Sequence, residues 1–122
     1  MIQVRNLSVH YGPIPALQDI SLQVGVGESV LITGPSGCGK STLAKVISGL
    51  IPHAIQANIR GQVQVSGLNT LEHPIATLTQ YVGVVFQQPS TQLFHLEVAD
   101  EVAFGPRNLG LSKNEVNRRV DW

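Results

Sequence analysis

The chain has 122 residues, which is room for one domain with a core of its own. Lys and Arg number 8 and Asp and Glu number 8, so the strongly basic surface typical of nucleic-acid-binding proteins is absent. The 43% hydrophobic content excludes a disordered chain, and the single cysteine, Cys38, excludes an internal disulfide. The sequence shows no signal-peptide pattern and no run of roughly 18 apolar residues that would cross a membrane as a helix.

The first third of the chain has the two-residue alternation that predicts strands. Ile2–His10 is predicted as a strand with an irregularity near Asn6, and Ile20–Val24 as a half-buried strand. The segment Gly25–Glu28 is predicted as a tight turn, because it holds two glycines. It precedes Ser29–Thr33, a nearly continuous apolar run of the kind that is buried on both faces of a parallel sheet. The pattern therefore predicts a sheet with at least one buried strand.

A helical pattern follows, because Leu43, Val46, Ile47 and Leu50 fall on one face of a 3.6-residue period that Gly49 and Pro52 end. Further elements are predicted as a strand, a short helix and a second buried strand, at Gln62–Ser66, Pro74–Leu78 and Tyr81–Phe86. Strands interleaved with a helix favour a parallel or mixed α/β core.

After Gln87 the pattern becomes helical. One apolar stripe, ended by Gly105 and Pro106, is formed by Val98, Ala99, Val102 and Ala103. Ser112 and Glu115 have the spacing of a capping box and predict a last helix that carries Val116 and Val120. Because the chain stops at Trp122 within this helix, we expect it to be truncated.

The segment Gly34–Ser41 matches G-x-x-x-x-G-K-[ST], the phosphate-binding Walker A motif. Backbone N–H groups from Gly37 to Thr42 are expected to form a nest for a β-phosphate, next to the positive end of a helix dipole. Lys40 is expected to reach the β- and γ-phosphates, and the Ser41 hydroxyl to ligate Mg²⁺. The candidate nucleotide-binding residues of the loop are Gly34, Pro35, Ser36, Gly37, Cys38, Gly39, Lys40, Ser41 and Thr42. We expect Cys38 to be a small residue that fits the loop, without a catalytic role.

Tyr11 lies before this loop, and Gln87 lies after it at the end of a predicted strand. Alone, a tyrosine is most often packing and a glutamine most often surface. Together with the segment Ala16–Leu22 and the turn after it, their placement around Walker A resembles the ATP-binding cassette (ABC) ATPases. The resemblance implies ATP and Mg²⁺ as cofactors and places Tyr11 against the adenine ring. It also implies that Gln87 reaches Mg²⁺ and the attacking water, so that Gln87 and Lys40 take part in catalysis.

The sequence from Val84 to Leu111 looks like the ATPase subunits of energy-coupling factor transporters, which import cobalt, nickel and vitamins. This resemblance implies an α/β fold: a P-loop NTPase core with an antiparallel β-subdomain in residues 1–87, and the start of an ABC helical subdomain in residues 88–122. It implies a second cassette as homo- or heterodimer partner and a transmembrane transporter subunit. The expected location is peripheral, at the cytoplasmic face of the cell membrane. Pro89–Leu96 is the candidate contact with the transmembrane partner.

The sequence also departs from this family. It contains no Ser-Gly-Gly-Gln signature, no apolar run ending in Asp-Glu and no switch histidine after them. Residues 1–122 alone are therefore expected to bind nucleotide without turnover, and a nucleotide-binding remnant or a P-loop ATPase outside transport remain alternatives. We expect surface or packing roles for His10, His53, His73 and His95, and a solvated helix face for Glu97, Asp100 and Glu101.

Overall fold

The structure is a computed structural model that describes residues 1–88, 90 and 92–121. It divides into two compact units, Met1–Val84 and Val85–Trp122. Each unit has its own helices, and only the first contains a sheet among the described residues. None of the helices in the described part of the chain is long and apolar enough to cross a membrane.

The first unit is built on a four-stranded sheet in the order β2-β1-β3-β4. The strands are β1 (Ile2–Tyr11), β2 (Ile14–Val24), β3 (Asn58–Val65) and β4 (Leu68–Asn69). Every pairing is antiparallel, and a tight hairpin joins β1 to β2 so that Tyr11 pairs with Ile14. The predicted α/β class with an antiparallel subdomain is therefore confirmed.

The predicted irregularity near Asn6 is a β-bulge. The register of β1 shifts here against both neighbouring strands, and Asn6 has a φ of 47°. Asn6 turns to β2, where its backbone N–H donates to Ser21 Oγ at 2.8 Å and its side chain donates to Asp19 Oδ1 at 3.0 Å. On the other side Gly61, with a φ of 99°, lets β3 approach the bulge closely. The bulge thus keeps three strands paired while the centre of β1 bends.

Three helices complete the first unit: α1 (Lys40–Ile47), α2 (Leu50–His53) and α3 (Ile75–Leu78). Helix α1 buries Leu43 and Val46 against the sheet, as its apolar spacing predicts. Gly49 ends α1 in the left-handed region, whereas Pro52 lies inside α2. One cluster of buried side chains joins α1 and α2 to the sheet: Val4, Leu7, Val9, Leu17, Leu43, Val46, Ile51 and Val63.

The second unit contains α4 (Val98–Asn108) and α5 (Lys113–Val120). The predicted cap of α5 is confirmed, because Ser112 Oγ accepts the backbone N–H of Glu115 at 3.4 Å. The Glu115 carboxylate does not return to the cap but pairs with Arg118 and Arg119 at 2.9 and 2.8 Å. Hydrogen bonds from these two arginines lower the pKa of Glu115 to about 2. The start of α5 therefore has one of the two side-chain hydrogen bonds of a full capping box.

Two predicted strands, Ser29–Thr33 and Tyr81–Phe86, are wrong for this structure. Both segments are without a ladder partner among the described residues, and Leu31 and Val85 are 86% and 84% exposed. A strand buried on both faces needs hydrogen-bonded neighbours on both sides. The parallel part of the predicted core is therefore not formed by the described part of the chain.

The predicted end of α4 is also wrong, since the helix continues through Gly105 and Pro106 to Asn108. A proline has no backbone N–H, so the helical hydrogen bond from residue 106 to the Val102 carbonyl is missing. Val102 is 48% exposed, so this gap is not in a core. Of the predicted apolar stripe only Ala103 is buried, and Val98 is 80% exposed. The stripe is thus a surface of the second unit rather than a core face.

The close approach at the bulge predicts unequal costs for two glycine substitutions. A Cβ at Gly61 would lie 2.5 Å from the carbonyl oxygens of Arg5 and Asn6, whereas a Cβ at Gly67 would meet nothing within 4 Å. Both residues have positive φ, which costs about 1–2 kcal/mol for alanine. We expect Gly67→Ala to lose about that much unfolding free energy and Gly61→Ala at least about 1 kcal/mol more. Urea unfolding measures both, and equal losses would contradict the close approach.

Candidate functional site

The segment 34–42 forms an exposed loop followed by the first turn of α1. Within the loop, the backbone N–H of Cys38 donates to the Pro35 carbonyl at 3.3 Å. The Leu43 N–H then donates to the Gly39 carbonyl at 2.9 Å and begins the helical ladder. The predicted motif therefore opens a helix as expected, although the segment before it is not a paired strand.

Gly39 is the N-cap of α1 and has a φ of 95°. A Cβ at this position would lie 2.5 Å from the carbonyl oxygen of Ala16 and 2.6 Å from Leu17 Cδ2. Both partners belong to β2, and Leu17 is part of the buried cluster. Only glycine fits here, because any side chain would meet backbone and core at once. The end of the loop is thus pressed onto the sheet.

The first turn of α1 offers donors to an anion. In an α-helix the first N–H groups, here those of Lys40, Ser41 and Thr42, have no carbonyl partner within the helix. The first turn of α1 contains no acidic residue, so nothing on the helix neutralises its positive dipole end. The backbone geometry and the electrostatics of this turn both suit a phosphate group.

The ammonium of Lys40 lies on the loop itself. Its Nζ donates to the carbonyls of Gly34 and Pro35, both at 2.8 Å, and to Cys38 Sγ at 3.4 Å. These contacts use all three N–H donors of a lysine, and the thiol is the weakest of the three acceptors. A phosphate oxygen would therefore replace the thiol contact at the smallest cost. The position of Cys38 is that of a small loop residue, in line with the prediction.

The Ser41 hydroxyl is a suitable oxygen ligand for Mg²⁺ in the first turn of α1. The described residues contain no group of three or more His, Cys, Asp or Glu side chains that would hold a metal ion. Mg²⁺ at this loop would therefore take further ligands from phosphate oxygens and water, which is its usual preference.

Tyr11 is half-buried at the end of β1, where it packs against the buried cluster. Its ladder partner Ile14 begins β2, and Ala16, which touches the phosphate loop, follows two residues later. A strand rises about 3.3 Å per residue, so the backbone partner of Tyr11 and the residue that touches the loop are about 7 Å apart along β2. Tyr11 and the contact between β2 and the loop therefore belong to the same end of the hairpin.

Gln87 belongs to the second unit and is exposed. Its expected role toward Mg²⁺ and water remains a prediction. In the candidate contact segment Pro89–Leu96, Pro89 and Thr91 lie outside the described residues. The exposed apolar side chains of its described part are Leu93, Phe94 and Leu96.

Sequence reasoning missed one pair, His95 and Glu101. His95 Nδ1 lies 2.8 Å from Glu101 Oε2, and the pair is only about a quarter exposed. The expected solvated face is therefore wrong for Glu101, whose pKa is lowered by hydrogen bonds from His95. Asp100, another acid of the predicted face, forms an exposed ion pair with Arg107 at 3.1 Å. No sequence motif predicts the His95–Glu101 pair. His95 lies in the loop before α4, where helical spacing gives no information on which side chains meet.

A glycine-rich loop whose lysine opens a helix defines the P-loop class of nucleotide-binding proteins. Within that class, the chain matches the ABC transporter family over residues 17–122. An ABC transporter ATP-binding protein of Pyrococcus abyssi is 48% identical over 124 residues, which cover 100% of this chain and 44% of that protein. One of Saccharolobus solfataricus is 45% identical over 122 residues, covering 98% of this chain and 23% of that protein. The chain thus spans less than half the length of these relatives, and it belongs to the ABC transporter family.

Two solved structures share the fold. CbiO1 of Clostridium perfringens, described as part of the ABC transporter complex cbiONQ, has a TM-score of 0.80 at 31% identity and covers 98% of this chain and 47% of that one. A dimeric ATP-binding cassette in a post-hydrolysis state, bound to ADP and Pi, has a TM-score of 0.74 at 29% identity. The match covers 98% of this chain and 54% of that one. Both likenesses support the ABC ATPase fold for this chain.

The loop geometry predicts that nucleotide affinity depends on Lys40. Charge-assisted hydrogen bonds are worth about 1.5–3 kcal/mol, so Lys40→Ala should weaken Mg-nucleotide binding at least about tenfold. Calorimetry measures this loss. Lys45→Ala is the matched control, because it removes the same charge from the same helix outside the loop. Equal affinity in Lys40→Ala and wild type would contradict the assignment of the phosphate loop.

Proposed function

We propose that the protein is the ATP-binding subunit of an ABC importer of the energy-coupling factor type. It would power the uptake of a metal ion or vitamin through a membrane partner. The observation that carries this proposal is the loop at residues 34–41, which opens α1 and is pressed onto β2 at Gly39. The likeness to CbiO1, described as part of an ABC transporter complex, supports the importer type.

In this proposal the loop holds the phosphates of ATP. The free N–H groups at the start of α1 bind the β-phosphate, and the Lys40 ammonium exchanges its thiol contact for a phosphate oxygen. The Ser41 hydroxyl would hold Mg²⁺, which would supply positive charge next to the nucleotide phosphates. The chain's own residues thus bind and orient the nucleotide before any hydrolysis.

Tyr11 completes the nucleotide site by stacking on the adenine ring. This role is supported by its position at the end of β1, where it pairs with the start of β2 two residues before Ala16, which touches the loop. Gln87 is proposed to orient the attacking water and to approach Mg²⁺, because a neutral amide does so without adding charge. Both roles rest on the family resemblance together with the loop.

The subunit is proposed to act with a second cassette and a transmembrane subunit at the cytoplasmic face of the membrane. The dimeric cassette with ADP and Pi supports the first partner. The second is supported by the apolar side chains that the described part of Pro89–Leu96 exposes, because such patches often mark interaction sites.

A stacking role for Tyr11 predicts a specific pattern of affinities. Tyr11→Ala should cost about 1–3 kcal/mol of ATP binding, whereas Tyr11→Trp should be tolerated. Stacking does not read base edges, so GTP should bind within about tenfold of ATP. Fluorescent-nucleotide competition measures all three values. Strong preference for ATP over GTP would point to a base pocket that reads hydrogen bonds instead.

Turnover is predicted to require more than residues 1–122. These residues include no Walker B acid and no signature serine, and loss of a general base costs about 10²–10⁴-fold. We expect no steady-state phosphate release from residues 1–122. The complete cassette, reconstituted with membrane subunits in vesicles, should drive ATP-dependent uptake from a panel of cobalt, nickel and vitamins.

Lys40→Ala is the control for both the phosphate-release and the uptake measurements, because it separates this site from contaminating ATPases. Turnover near 1 s⁻¹ by residues 1–122, lost in Lys40→Ala, would contradict the need for a second half. Lys40-dependent ATP hydrolysis by the complete protein without uptake of any panel member would contradict the importer assignment.

A further inference from the structure

Glu101, in the first turns of α4, reaches back to the loop that precedes the helix. Its Oε2 accepts the backbone N–H of Phe94 at 3.2 Å and that of His95 at 3.0 Å. The same oxygen lies 2.8 Å from His95 Nδ1. One carboxylate oxygen therefore binds two consecutive backbone groups and one side chain of the loop 93–96, hereafter the front loop.

These contacts also place an aromatic cluster. The rings of Phe94 and Phe104 meet edge to face with centroids 4.9 Å apart, and His95 lies 4.4 Å from Phe94 and 5.5 Å from Phe104. Phe104 belongs to α4, whereas Phe94 and His95 belong to the front loop. One such edge-to-face pair is too weak a contact to order a loop alone. The Glu101 contacts supply the missing directional constraint.

Glu101 also orients the His95 ring. A carboxylate only accepts hydrogen bonds, so His95 Nδ1 must carry the proton that it donates. The front loop consequently holds its apolar side chains next to a ring whose Nδ1–H points at Glu101.

The charged groups around Glu101 leave this arrangement undisturbed. Asp100 is engaged by Arg107 on α4. Glu97 contributes its backbone carbonyl, which accepts the Glu101 N–H at 3.2 Å, and its carboxylate has no hydrogen bond among the described residues. Hydrogen bonds from His95 and Phe94 lower the pKa of Glu101, so the carboxylate is ionised at neutral pH. Glu101 can therefore accept all three of these hydrogen bonds at neutral pH.

We propose that Glu101 is the positioning residue of the front loop, and that it holds Phe94 and His95 in the conformation that couples the cassette to its transmembrane subunit. This rests on the proposed function, which places that contact in Pro89–Leu96. Glu101 touches neither nucleotide nor substrate in this proposal. It acts through the backbone N–H groups of Phe94 and His95 and through Nδ1 of the His95 ring.

The first test measures the loop itself in the complete cassette. Amide hydrogen exchange at Phe94 and His95 should be protected in the wild type and at least about tenfold faster in Glu101→Ala. Glu101→Gln should give partial rescue, because its amide oxygen still accepts while the charge is lost. Nitrogen chemical shifts of the His95 ring should show a protonated, hydrogen-bonded Nδ1 in the wild type and the loss of that hydrogen bond in Glu101→Ala. Glu97→Gln, the matched control on the same helix, should change neither readout.

The second test measures coupling in vesicles that contain the complete cassette and its membrane subunits. Glu101→Ala should lower uptake at least about fivefold while ATP hydrolysis by the isolated cassette is unchanged. Combining Glu101→Ala with Phe94→Ala should add little to either single change, because both act on one loop.

The outcomes separate this inference from the proposed function. Unchanged exchange and an unchanged Nδ1 chemical shift in Glu101→Ala would overturn the positioning role. Faster exchange with normal uptake would overturn its link to coupling, although Lys40-dependent uptake would still support the importer. If the wild type shows no Lys40-dependent uptake, the proposed function fails, and with it the coupling role of Glu101.

Discussion

The contact between Gly39 and β2 is the constraint on which the candidate nucleotide site depends. Because Gly39 lacks a Cβ, the loop can lie against the Ala16 carbonyl and the Leu17 side chain. Leu17 is in turn part of the buried cluster that joins α1 to the sheet. The start of α1, the ammonium of Lys40 and the hairpin that carries Tyr11 are therefore held by one core. A shift of β2 would move all of them together.

Features set by neighbouring residues were predictable from the sequence, whereas features set by partners far along the chain were not. The bulge near Asn6, the apolar face of α1 at Leu43 and Val46, and the Ser112 cap each follow from a local pattern, and all three are present. Leu50, predicted on the same helix, lies in α2 instead. The runs Ser29–Thr33 and Tyr81–Phe86 are apolar enough for buried strands. A strand, however, also requires neighbours, and the described residues supply none. Apolar content alone does not report whether those neighbours are present.

In the candidate site, too, local features were predictable from the sequence and spatial contacts were not. The Walker A pattern predicted a loop that opens a helix, since glycine spacing and the helix start are local properties. It did not predict that Lys40 bonds to the carbonyls of Gly34 and Pro35, which depends on how the loop curls in space. Glu101 was missed for a related reason. Its partners are backbone N–H groups, and every residue except proline has one, so no residue type marks them.

The hydrogen bonds that Lys40 already makes within the loop limit what it can add to nucleotide binding. All three of its N–H donors already have acceptors within the loop, so the proposed nucleotide binding would exchange contacts and would not add new ones. The net gain would be the difference between a charged phosphate oxygen and a weakly accepting thiol, reinforced by the attraction of opposite charges. The two carbonyls remain to hold the side chain against the loop. A lysine anchored in this way loses little conformational freedom on binding, because the loop has already restricted it.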